Sequence, residues 1–553
     1  MRSTRSKPGK GRPDGGGVWG LILGAVAAGI LVACAVTDVA AAATVGKVKV
    51  ILTPDAVVAQ AARWRVDGGA WKKSGVAVGN IAPGTHTITY KSVVNWESPA
   101  ATEVTVATGK TTTVSVAYTP VAASVRVILD PSPVLSEGAR WKLDNGSWRV
   151  SNFKLNLITP GTHTISFRPR TGWNTPEPIE INLAAGDLQT KDAVYSLVLG
   201  QYVVLGYNDL GMHCMNQDFS ELMILPPYNT IHAQVFRRGS EPRMITSGIT
   251  VDYSVPGNTS SADKTNFWDY AEDLFGVSLP LDVGLTGNGL AGPMKPRKEI
   301  MDWQATGIPL TQITDAGKSN ALQLAELSVK QSGTEIARTD IVVPVSWEIS
   351  CNLCHEKPGV SVDTAILQAH DQMHGTNLEN SKPVVCGSCH AQPPLGLAGQ
   401  PGVASLSSAM HSAHAARMDQ VTLANSCYAC HPGVETQCLR DVHVAKGMTC
   451  VDCHGSMAEV GNPARQSWVD EPKCGDCHQR SHFTFEEPGK LYRESRGHHE
   501  VQCATCHGSP HAITPATTKP DNVQSQMVQG HSGVLDCAVC HINKPRDEFE
   551  HHL

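Results

Sequence analysis

The sequence predicts a multidomain protein with an all-β N-terminal half and a loop-rich C-terminal region that contains short helices. A 77-residue internal repeat with alternating strand patterns fills residues 47 to 197. Another strand-rich segment follows, from residue 198 to residue 345. Of the 17 cysteines in this 553-residue chain, 14 lie after residue 350 in short, regularly spaced groups. The length itself is enough for about three or four domains.

Composition excludes several classes of protein. The 45 Lys and Arg residues against 51 Asp and Glu give a net charge of -6, which argues against a cationic nucleic-acid-binding protein. Charged residues make up 17% and aromatic residues 5% of the chain, whereas Gly (50) and Pro (34) are abundant. This balance disfavours both a long coiled coil and an ordinary aromatic-rich enzyme core.

Residues 1–34 are predicted to form an export signal. Five basic residues precede an uncharged stretch from Val18 to Thr37. Within that stretch, Leu31-Val-Ala-Cys34 resembles a bacterial lipobox, which implies that Cys34 is the lipidated first residue of a mature lipoprotein. The alternatives are cleavage near the small residues that follow Asp38, and an uncleaved anchor, since about 20 apolar residues can span a bilayer. All three place the mature chain outside the cytoplasm, in the periplasm or at the outer membrane and cell surface.

Residues 47–120 and 121–197 form the two repeats. Val48-Lys-Val-Ile-Leu52 returns as Val125-Arg-Val-Ile-Leu129, and Ile81-Ala-Pro-Gly-Thr-His-Thr-Ile88 returns 77 residues later. Alternating runs separated by Asp-Gly, Asn-Gly and Pro-Gly turns predict a small antiparallel β-sandwich for each repeat. The Pro-Gly-Thr-His-Thr-Ile phrase partly resembles the surface modules named for a Pro-Glu-Gly-Ala signature.

Aromatic and imidazole side chains in the repeats are predicted to be structural. Six tryptophans occupy matching positions, and a sandwich of this size needs large apolar residues in its core. Stacking on sugars or on a partner protein is the alternative. His86 and His163 are predicted to be strand residues rather than ligands. The tryptophans are Trp64, Trp71, Trp96, Trp141, Trp148 and Trp173.

Residues 198–345 are predicted to form a mainly β domain with one or two helices. Phe267 to Phe275 has apolar residues at helical spacing, with Asn266 as the N-cap and Gly276 as the stop. Met212-His-Cys-Met215 combines imidazole, thiol and two thioethers, all of them soft-metal ligands. The alternatives are a buried thiol or disulfide at Cys214 and core packing of the methionines.

Residues 346–553 contain seven copies of Cys-x-x-Cys-His, here called motifs 1 to 7. Two thiols three residues apart can each bond one vinyl group of a haem, and the adjacent histidine then reaches the iron. Zinc ribbons pair two Cys-x-x-Cys knuckles and need no histidine after each, and thioredoxin-type sites occur once per domain. The motifs therefore predict seven covalent c-type haems. They are Cys351–Cys354–His355, Cys386–Cys389–His390, Cys427–Cys430–His431, Cys450–Cys453–His454, Cys474–Cys477–His478, Cys503–Cys506–His507 and Cys537–Cys540–His541.

The second axial ligand of each iron is also predicted to be histidine. Ten further histidines precede the C-terminal tail, several-fold more than a surface needs. A methionine could replace one of them, but two imidazoles keep the redox potential low. The sequence leaves open which histidine reaches which iron. The predicted ligands are His374, His414, His443, His482, His498, His511 and His531, with His370, His411 and His499 as alternates.

Haem groups are expected to form the core of this region. Only 23 to 41 residues separate the first cysteines of successive motifs, and the connecting segments have few continuous apolar faces. Such segments cannot bury enough of their own side chains to offset the conformational entropy lost on folding. The prediction is a haem-cored, loop-rich fold with closely spaced haems.

Residues 351–541 resemble the extracytoplasmic multihaem c-type cytochromes of bacteria that respire metals or other external acceptors. The resemblance includes Cys427-Tyr-Ala-Cys430-His431-Pro432 and Cys450-Val-Asp-Cys453-His454-Gly455. It implies electron relay between redox proteins, among them other multihaem cytochromes or an outer-membrane porin-cytochrome assembly. No nucleic acid is expected as a partner.

Two other functions stay open at this stage. A multihaem reductase would need one haem with an open distal face and nearby proton donors. A surface scaffold or filament subunit would use residues 47–345 to bind a polysaccharide or a protein. Electron transfer is the main expectation.

The cysteines outside the motifs suggest a disulfide. If Cys34 carries lipid or leaves with the signal, only Cys214 and Cys438 remain in an oxidising compartment. A bridge between them would fasten the middle β domain to the motif-rich region. Two free thiols, or a metal-binding role for Cys214, are the alternatives.

Overall fold

The computed structural model describes residues 45–479 and 485–543 and divides the chain into two compact units, with the boundary between Thr119 and Pro120. The predicted signal and Cys34 lie outside the described residues. No helix within the described ranges is long and apolar enough to cross a membrane. The chain is rich in strands up to Ser346, and most of its helices follow that residue.

The first unit contains the first repeat, folded as two three-stranded sheets in the orders β3-β1-β7 and β2-β4-β6. The antiparallel prediction is wrong for one pair, because β1 and β7 run parallel, with Lys47 opposite Thr111. These are the outer strands of the repeat in sequence, and the intervening chain supplies the long crossover that a parallel pair requires. The elements are β1 (Gly46–Thr53), α1 (Asp55–Ala59), β2 (Trp64–Val66), β3 (Ala77–Ile81), β4 (Gly84–Tyr90), β5 (Trp96–Glu97), β6 (Thr102–Val106), β7 (Thr111–Ala117) and β8 (Thr119–Pro120).

The second repeat opens the second unit and has the same topology, with sheets β11-β9-β15 and β10-β12-β14. A parallel pair, β9 and β15, again joins its outer strands. The elements are β9 (Ala123–Asp130), α2 (Ser132–Ser136), β10 (Trp141–Leu143), β11 (Lys154–Ile158), β12 (Gly161–Phe167), β13 (Trp173–Asn174), β14 (Ile179–Leu183), β15 (Leu188–Val194) and β16 (Ser196–Leu197).

The tryptophans of the repeats do not all lie in the core. Trp64 and Trp141 are fully buried, and Trp173 is nearly so, as predicted. Trp71 and Trp148 are 40% exposed, so the core prediction is wrong for this equivalent pair. Each ring instead makes a cation–π contact. Arg65 lies 4.5 Å from the ring centroid of Trp71, and Lys142 lies 5.2 Å from that of Trp148.

The middle domain is built on two five-stranded sheets, which enclose the largest apolar core of the molecule. The helix predicted from Phe267 to Phe275 is confirmed, and it ends at Gly276 in the left-handed conformation (φ 68°). Asn266 is the N-cap residue, as predicted, but its side chain makes no capping hydrogen bond, because its oxygen accepts from the Phe219 N–H instead. The elements are β17 (Tyr202–Asn208), β18 (His213–Cys214), β19 (Leu222–Met223), β20 (Asn229–Arg237), β21 (Arg243–Met244), β22 (Thr250–Ser254), α3 (Phe267–Phe275), β23 (Ala291–Pro293), β24 (Lys295–Arg297), β25 (Asp302–Ile308), β26 (Leu322–Gln331) and β27 (Thr334–Ser346).

The C-terminal region consists of short helices and turns joined by irregular chain. In the ranges that the structure describes, the buried apolar residues of this region form no large cluster of their own. Two of them, Val523 and Met527, pack into the core of the second repeat. The elements are α4 (Asn352–His355), α5 (Val362–His374), β28 (Val384–Val385), α6 (Leu406–Ala415), α7 (Cys450–His454), α8 (Met457–Val460), α9 (Cys474–Cys477), β29 (Arg496–His498), β30 (Val501–Gln502), α10 (Cys503–His507) and α11 (Val523–Gln529).

Polar side chains of the middle domain hold the C-terminal region in place. The Gln234 side-chain oxygen accepts hydrogen bonds from Gln502 N and Thr505 Oγ1 at motif 6. The Arg238 guanidinium donates to the Val539 carbonyl at motif 7, at 2.8 Å. Because these groups are largely shielded from water, each unmade bond would be costly. The β domain therefore positions the motifs.

Candidate haem-binding site

Each Cys-x-x-Cys-His motif folds into one helical turn. In motif 1, the His355 N–H donates to the Cys351 carbonyl at 2.9 Å, and the same bond closes motif 5 at 2.8 Å. Four motifs contain short α-helices, and three form 3-10 turns. A turn of this kind places the two cysteines and the histidine along one side of the chain. The local conformation therefore suits two thioether bonds and one axial bond to the same haem.

Six motif histidines lie opposite a histidine from elsewhere in the chain. The ring centroids of these pairs are 6.0 to 6.4 Å apart, too far for ring contact. The distances are 6.4 Å for His355–His414, 6.3 Å for His390–His370, 6.0 Å for His431–His411, 6.0 Å for His454–His511, 6.0 Å for His478–His443 and 6.2 Å for His541–His498.

This separation fits an iron ion between the two rings. A metal–imidazole nitrogen bond is about 2.0–2.1 Å long, and each ring nitrogen is about 1.2 Å from its centroid, so two axial imidazoles place their centroids about 6.4 Å apart. The six observed distances agree with this value. The motif turn and the opposite ring together fit a haem with two histidine ligands.

Most of the paired rings have their Nδ1 atom in a hydrogen bond. On α6, the Nδ1–H groups of His411 and His414 donate to carbonyls one turn earlier, at 2.7 Å in both cases. His390 Nδ1 donates to the Ala404 carbonyl at 2.8 Å, and His541 Nδ1 to the Ser240 carbonyl at 3.1 Å. A neutral ring that donates from Nδ1 keeps its Nε2 lone pair free. These rings are thus held in the tautomer that could bind a metal through Nε2.

The distal rings His370 and His443 have side-chain partners. His370 Nδ1 donates to Thr376 Oγ1 at 2.8 Å. His443 Nδ1 donates to a carboxylate oxygen of Asp441 at 3.1 Å, and Asp441 is nearly buried. A carboxylate partner makes an imidazole a stronger electron donor than a carbonyl partner does.

Burial keeps several of these rings uncharged. It lowers the pKa of His431 to about 4, and nearby histidines such as His411 lower it further. Burial also lowers the pKa of His411 and His454. Neutral imidazole is the form that binds a metal.

Four of the sequence-predicted ligands belong to these ring pairs. His414, His443, His498 and His511 each lie opposite a motif histidine. His370 and His411, considered only as alternates from the sequence, also do so. His482 lies outside the described residues.

Three other predicted candidates lie away from these pairs. The His374 ring lies beside His370, with centroids 4.7 Å apart and the ring planes tilted by 50°, and His499 lies beside His498 at 5.1 Å. His531 forms an exposed ion pair with Asp536 at 3.0 Å. His370 and His411, the sequence alternates, lie opposite motif histidines, whereas His374 and His531 do not.

A distal histidine often belongs to a different motif from the one that it precedes in sequence. His443 precedes motif 4 but lies opposite His478 of motif 5. His498 precedes motif 6 but lies opposite His541 of motif 7. One helix, α6, serves two motifs, because His411 and His414 lie opposite the histidines of motifs 3 and 1. These crossings tie the irregular segments together.

The motifs form a spatial order that differs from the sequence order. The Ser350 N–H donates to the Ala429 carbonyl at 3.0 Å, which joins motif 1 to motif 3. Asn425 Nδ2 lies 3.4 Å from Cys450 Sγ, which joins motif 3 to motif 4. The Leu535 N–H donates to the Cys506 carbonyl at 3.3 Å, which joins motif 6 to motif 7.

Further contacts extend this order. His443, seven residues before motif 4, lies 6.0 Å from His478 of motif 5. Glu486 accepts a hydrogen bond from the Cys474 N–H of motif 5. The next residue, Glu487, donates from its N–H to Ser495 Oγ, and the Ser495 carbonyl accepts from the Cys503 N–H of motif 6. Motif 2 reaches motif 1 through α5, which packs on α4 and contains His370. The spatial order is 2-1-3-4-5-6-7.

The Met212-His-Cys-Met215 segment does not gather its side chains around one point. Met215 is fully buried in the core of the middle domain. His213 Nε2 pairs with an Asp209 oxygen at 2.8 Å. Cys214 pairs in the backbone with Ser346 and is partly buried. Within the described ranges, no group of three or more His, Cys, Asp or Glu could hold a metal ion.

Comparison with known proteins gives distant structural matches only. The sequence matches no family model and no curated protein. Among solved structures, the chain is similar to the TIE protein of Bacillus anthracis, at 10% identity and a TM-score of 0.23, over 55% of this chain and 48% of that protein. It is also similar to a DUF3823-family protein of Bacteroides ovatus, at 9% identity and a TM-score of 0.19, over 41% and 99%. A minor pilin of Streptococcus agalactiae gives 6% identity and a TM-score of 0.14, over 28% and 97%.

Proposed function

We propose that this protein is an extracytoplasmic heptahaem c-type cytochrome that relays electrons between redox partners. Haem, once bound, supplies iron that gains or loses one electron at a time. The observation that carries the proposal is the set of six histidine pairs, spaced 6.0 to 6.4 Å apart, each of which contains the histidine of a Cys-x-x-Cys-His motif.

The residues that hold each haem follow from these pairs. Two cysteines of a motif form the thioether bonds, and the motif histidine is the proximal ligand. The distal ligands are His414, His370, His411, His511, His443 and His498 for motifs 1, 2, 3, 4, 5 and 7. His482 remains the sequence prediction for a further distal ligand.

Two histidine ligands favour electron transfer over substrate chemistry. A reductase haem needs a free axial position for its substrate, and the paired histidines are placed to fill both positions in six motifs. The spatial order of motifs gives electrons a continuous route through the C-terminal region. Its ends are motif 2, reached through α5, and motif 7, bound to the middle domain by Arg238.

The absence of a separate apolar core in the described C-terminal region supports the same proposal. Most of its buried apolar residues are small or scattered, among them Ala365, Ala504 and Ala512. A segment with so little apolar burial of its own needs another source of stability. Seven porphyrins would supply apolar surface at the motifs.

The protein is proposed to act outside the cytoplasm, because c-type attachment and the predicted export signal both fit that location. Electron donors and acceptors would be other cytochromes, a porin-cytochrome assembly or an external acceptor. Cys34, outside the described residues, remains the proposed lipid anchor.

Intact mass of the exported protein tests the cofactor content. The mass should exceed that of the mature chain by seven haems, and the Cys503→Ala, Cys506→Ala double variant should lose one. The Cys214→Ala variant is the matched control, since Cys214 belongs to no motif, and it should keep all seven. A wild-type count of six or fewer would contradict the proposal.

A further inference from the structure

Three segments meet at His511, the distal ring of motif 4. The Arg440 N–H donates to the His511 carbonyl at 2.9 Å. From the middle domain, the Asn208 N–H donates to Ser509 Oγ at 3.0 Å. Gly211 lies very close to Pro510, the residue before His511. A Cβ atom added at Gly211 would be 1.6 Å from the Pro510 carbonyl oxygen. The segment from Asn208 to Met215 is therefore packed directly beside this ligand.

His511 has an unusual hydrogen-bond partner. Its Nδ1 atom lies 4.0 Å from Cys438 Sγ, at the limit for a hydrogen bond to sulfur. The other distal rings with a known Nδ1 partner donate to oxygen, as His411 does to the Ser407 carbonyl. A cysteine thiol therefore lies in contact with this ring.

Cys214 reaches the same place from the middle domain. It pairs with Ser346 at the end of β27, and Ser346 Oγ lies 2.9 Å from Thr436 Oγ1. Thr436 is two residues before Cys438. The strand pairing and this hydroxyl contact bring the segments of Cys214 and Cys438 together. Burial raises the pKa of Cys214 to about 12.

We propose that Cys214 and Cys438 are a redox-active thiol pair that forms a reversible disulfide beside the distal ligand of motif 4. This inference rests on the proposed function, because it requires His511 to be an iron ligand. Both cysteines are free thiols in the structure.

The reaction is a two-electron oxidation. The two S–H bonds break, one S–S bond forms, two protons leave to solvent, and two electrons pass to two one-electron oxidants of the ferric haem class. Reduction by two ferrous haems and two protons reverses it. The potential of the pair depends on its surroundings, so it can lie within the range of the haems.

Disulfide formation should change the iron ligand. Once Cys438 Sγ is bonded to Cys214, it is a poorer acceptor for the His511 Nδ1–H. His511 then donates less to iron, ferric iron is less favoured, and the potential of this haem rises. Because motif 4 lies in the middle of the spatial order, the thiol pair would regulate flow between motif 3 and motif 5.

The first test measures the thiols. The haem-loaded full chain is poised at a series of potentials, unfolded and alkylated, and the peptides that contain Cys214 and Cys438 are quantified by mass. Both should be protected at high potential and both alkylated at low potential, with a two-electron midpoint. Cys34 is measured on its own peptide. Alkylation of both at every potential would overturn the proposal.

The second test measures the haem. A spectroelectrochemical titration should resolve one haem whose midpoint is higher with the disulfide formed, by a change equivalent to about tenfold, or 59 mV for one electron. In Cys214→Ala, Cys438 stays beside His511 but no disulfide can form, so the shift should vanish. Met215→Leu, one residue away, should retain it. A disulfide that shifts no haem potential would refute the coupling.

The two proposals fail in different ways. A protein without haem absorbance would overturn the proposed function before any thiol is labelled. A fully loaded protein with permanently free Cys214 and Cys438 would overturn only the thiol pair. The wild-type labelling needs no variant, so it holds even if Cys214→Ala folds poorly.

Discussion

His443 has a carboxylate as its hydrogen-bond partner. Asp441 accepts from His443 Nδ1 and also from the backbone N–H groups of His443 and Val444. In the proposed haem site, this carboxylate would make His443 a strong electron donor to iron. The haem of motif 5 is accordingly expected to have one of the lower potentials in the chain.

Asp441→Asn should raise the potential of that haem. The amide is similar in shape and can still accept the backbone bonds, but it lacks the negative charge that polarises His443. A redox titration should show one midpoint higher by roughly 30 to 60 mV, since 59 mV is a tenfold change for one electron. Asp187→Asn is the control, because Asp187 lies in the second repeat, where it accepts from the Ala184 N–H. Equal titration curves for wild type and Asp441→Asn would contradict this role.

At the residue scale, the sequence predicts ligand type better than ligand identity. The motif fixes each proximal histidine, because covalent attachment depends on local spacing. The choice between His370 and His374 depends on where motif 2 lies in three dimensions. Both residues are on α5, separated by one helical turn, so periodicity gives them equal weight.

The repeats have an equivalent histidine clasp in each copy. His86 Nδ1 bonds an Asp67 oxygen at 2.5 Å, and its Nε2 bonds the Ala82 carbonyl at 2.7 Å. His163 makes the same two contacts with Asp144 and Thr159. The clasp joins the turn after the second strand of each repeat to the turn before its fourth strand. The identical positions of this histidine and aspartate in the two repeats therefore follow from a shared structural role.

The clasps should stabilise the chain most in mildly acidic solution. Hydrogen bonds to Asp67 and Asp144 raise the pKa of His86 and His163, so this contribution is lost as pH rises through the raised values. Hydrogen bonds to the histidines lower the pKa of both aspartates, so it is also lost as pH falls through the lowered values. The optimum lies between about pH 4 and pH 6.5.

A double variant tests the clasps. His86→Gln with His163→Gln should lower the midpoint of thermal unfolding of the full chain by roughly a few °C near pH 5.5 and by less at pH 8.5. Asp67→Asn with Asp144→Asn, which removes the opposite charge, should flatten the pH profile in the same way. A pH profile parallel to that of the wild type would show that the clasps contribute nothing.

Gly211 is a point of close approach between the middle domain and Pro510, the residue before His511. Its φ of 74° already favours glycine, and a Cβ would collide with Pro510. Gly211→Ala should move this segment and weaken the bond from His511 to iron, so that carbon monoxide binds one haem in the reduced protein.

Gly248→Ala separates the steric effect from backbone strain. Gly248 has nearly the same φ, 75°, but no atom lies within 4 Å of an added Cβ. This variant should bear the conformational cost alone and bind no more carbon monoxide than the wild type. Equal binding by the two glycine variants would show that contact with Pro510 does not support His511.

At the element scale, sequence patterns predict the elements whose structure depends on neighbouring residues in the chain. The helix from Phe267 to Phe275 and its glycine stop follow from periodicity and chirality. The parallel pairing of β1 with β7 could not be predicted in this way. Apolar and polar residues alternate along a strand in the same manner whether its partner is parallel or antiparallel. The exposed Trp71 and Trp148 also escaped prediction, since a cation above the ring replaces burial.

The middle domain acts as a scaffold for the C-terminal region. Gln234 in β20 hydrogen-bonds motif 6, and Arg238, just after β20, hydrogen-bonds motif 7. Glu348 accepts hydrogen bonds from the four backbone N–H groups of residues 433–436, which follow motif 3. Glu221 bonds Ser361, the N-cap of α5. Contacts so distant in sequence carry no local signal, so sequence patterns could not reveal them. They explain how irregular segments keep ligand rings in place.

The spatial order of the motifs is the second whole-molecule property that the sequence hides. Sequence spacing suggests a path from motif 1 to motif 7, whereas α6 brings motif 3 beside motif 1 through His411 and His414. Motif 2 is then one end of the route. Partners are expected to exchange electrons near motif 2 and near motif 7.

Electron paramagnetic resonance of the fully oxidised, haem-loaded protein tests the central claim most directly. Histidine on both sides of every iron predicts spectra that contain only low-spin ferric haem, integrating to seven per chain. His411→Ala should convert one haem, that of motif 3, to a high-spin signal, whereas His374→Ala should leave the spectrum unchanged. A substantial high-spin signal in the wild type would contradict the account and indicate a haem with an open face for substrate.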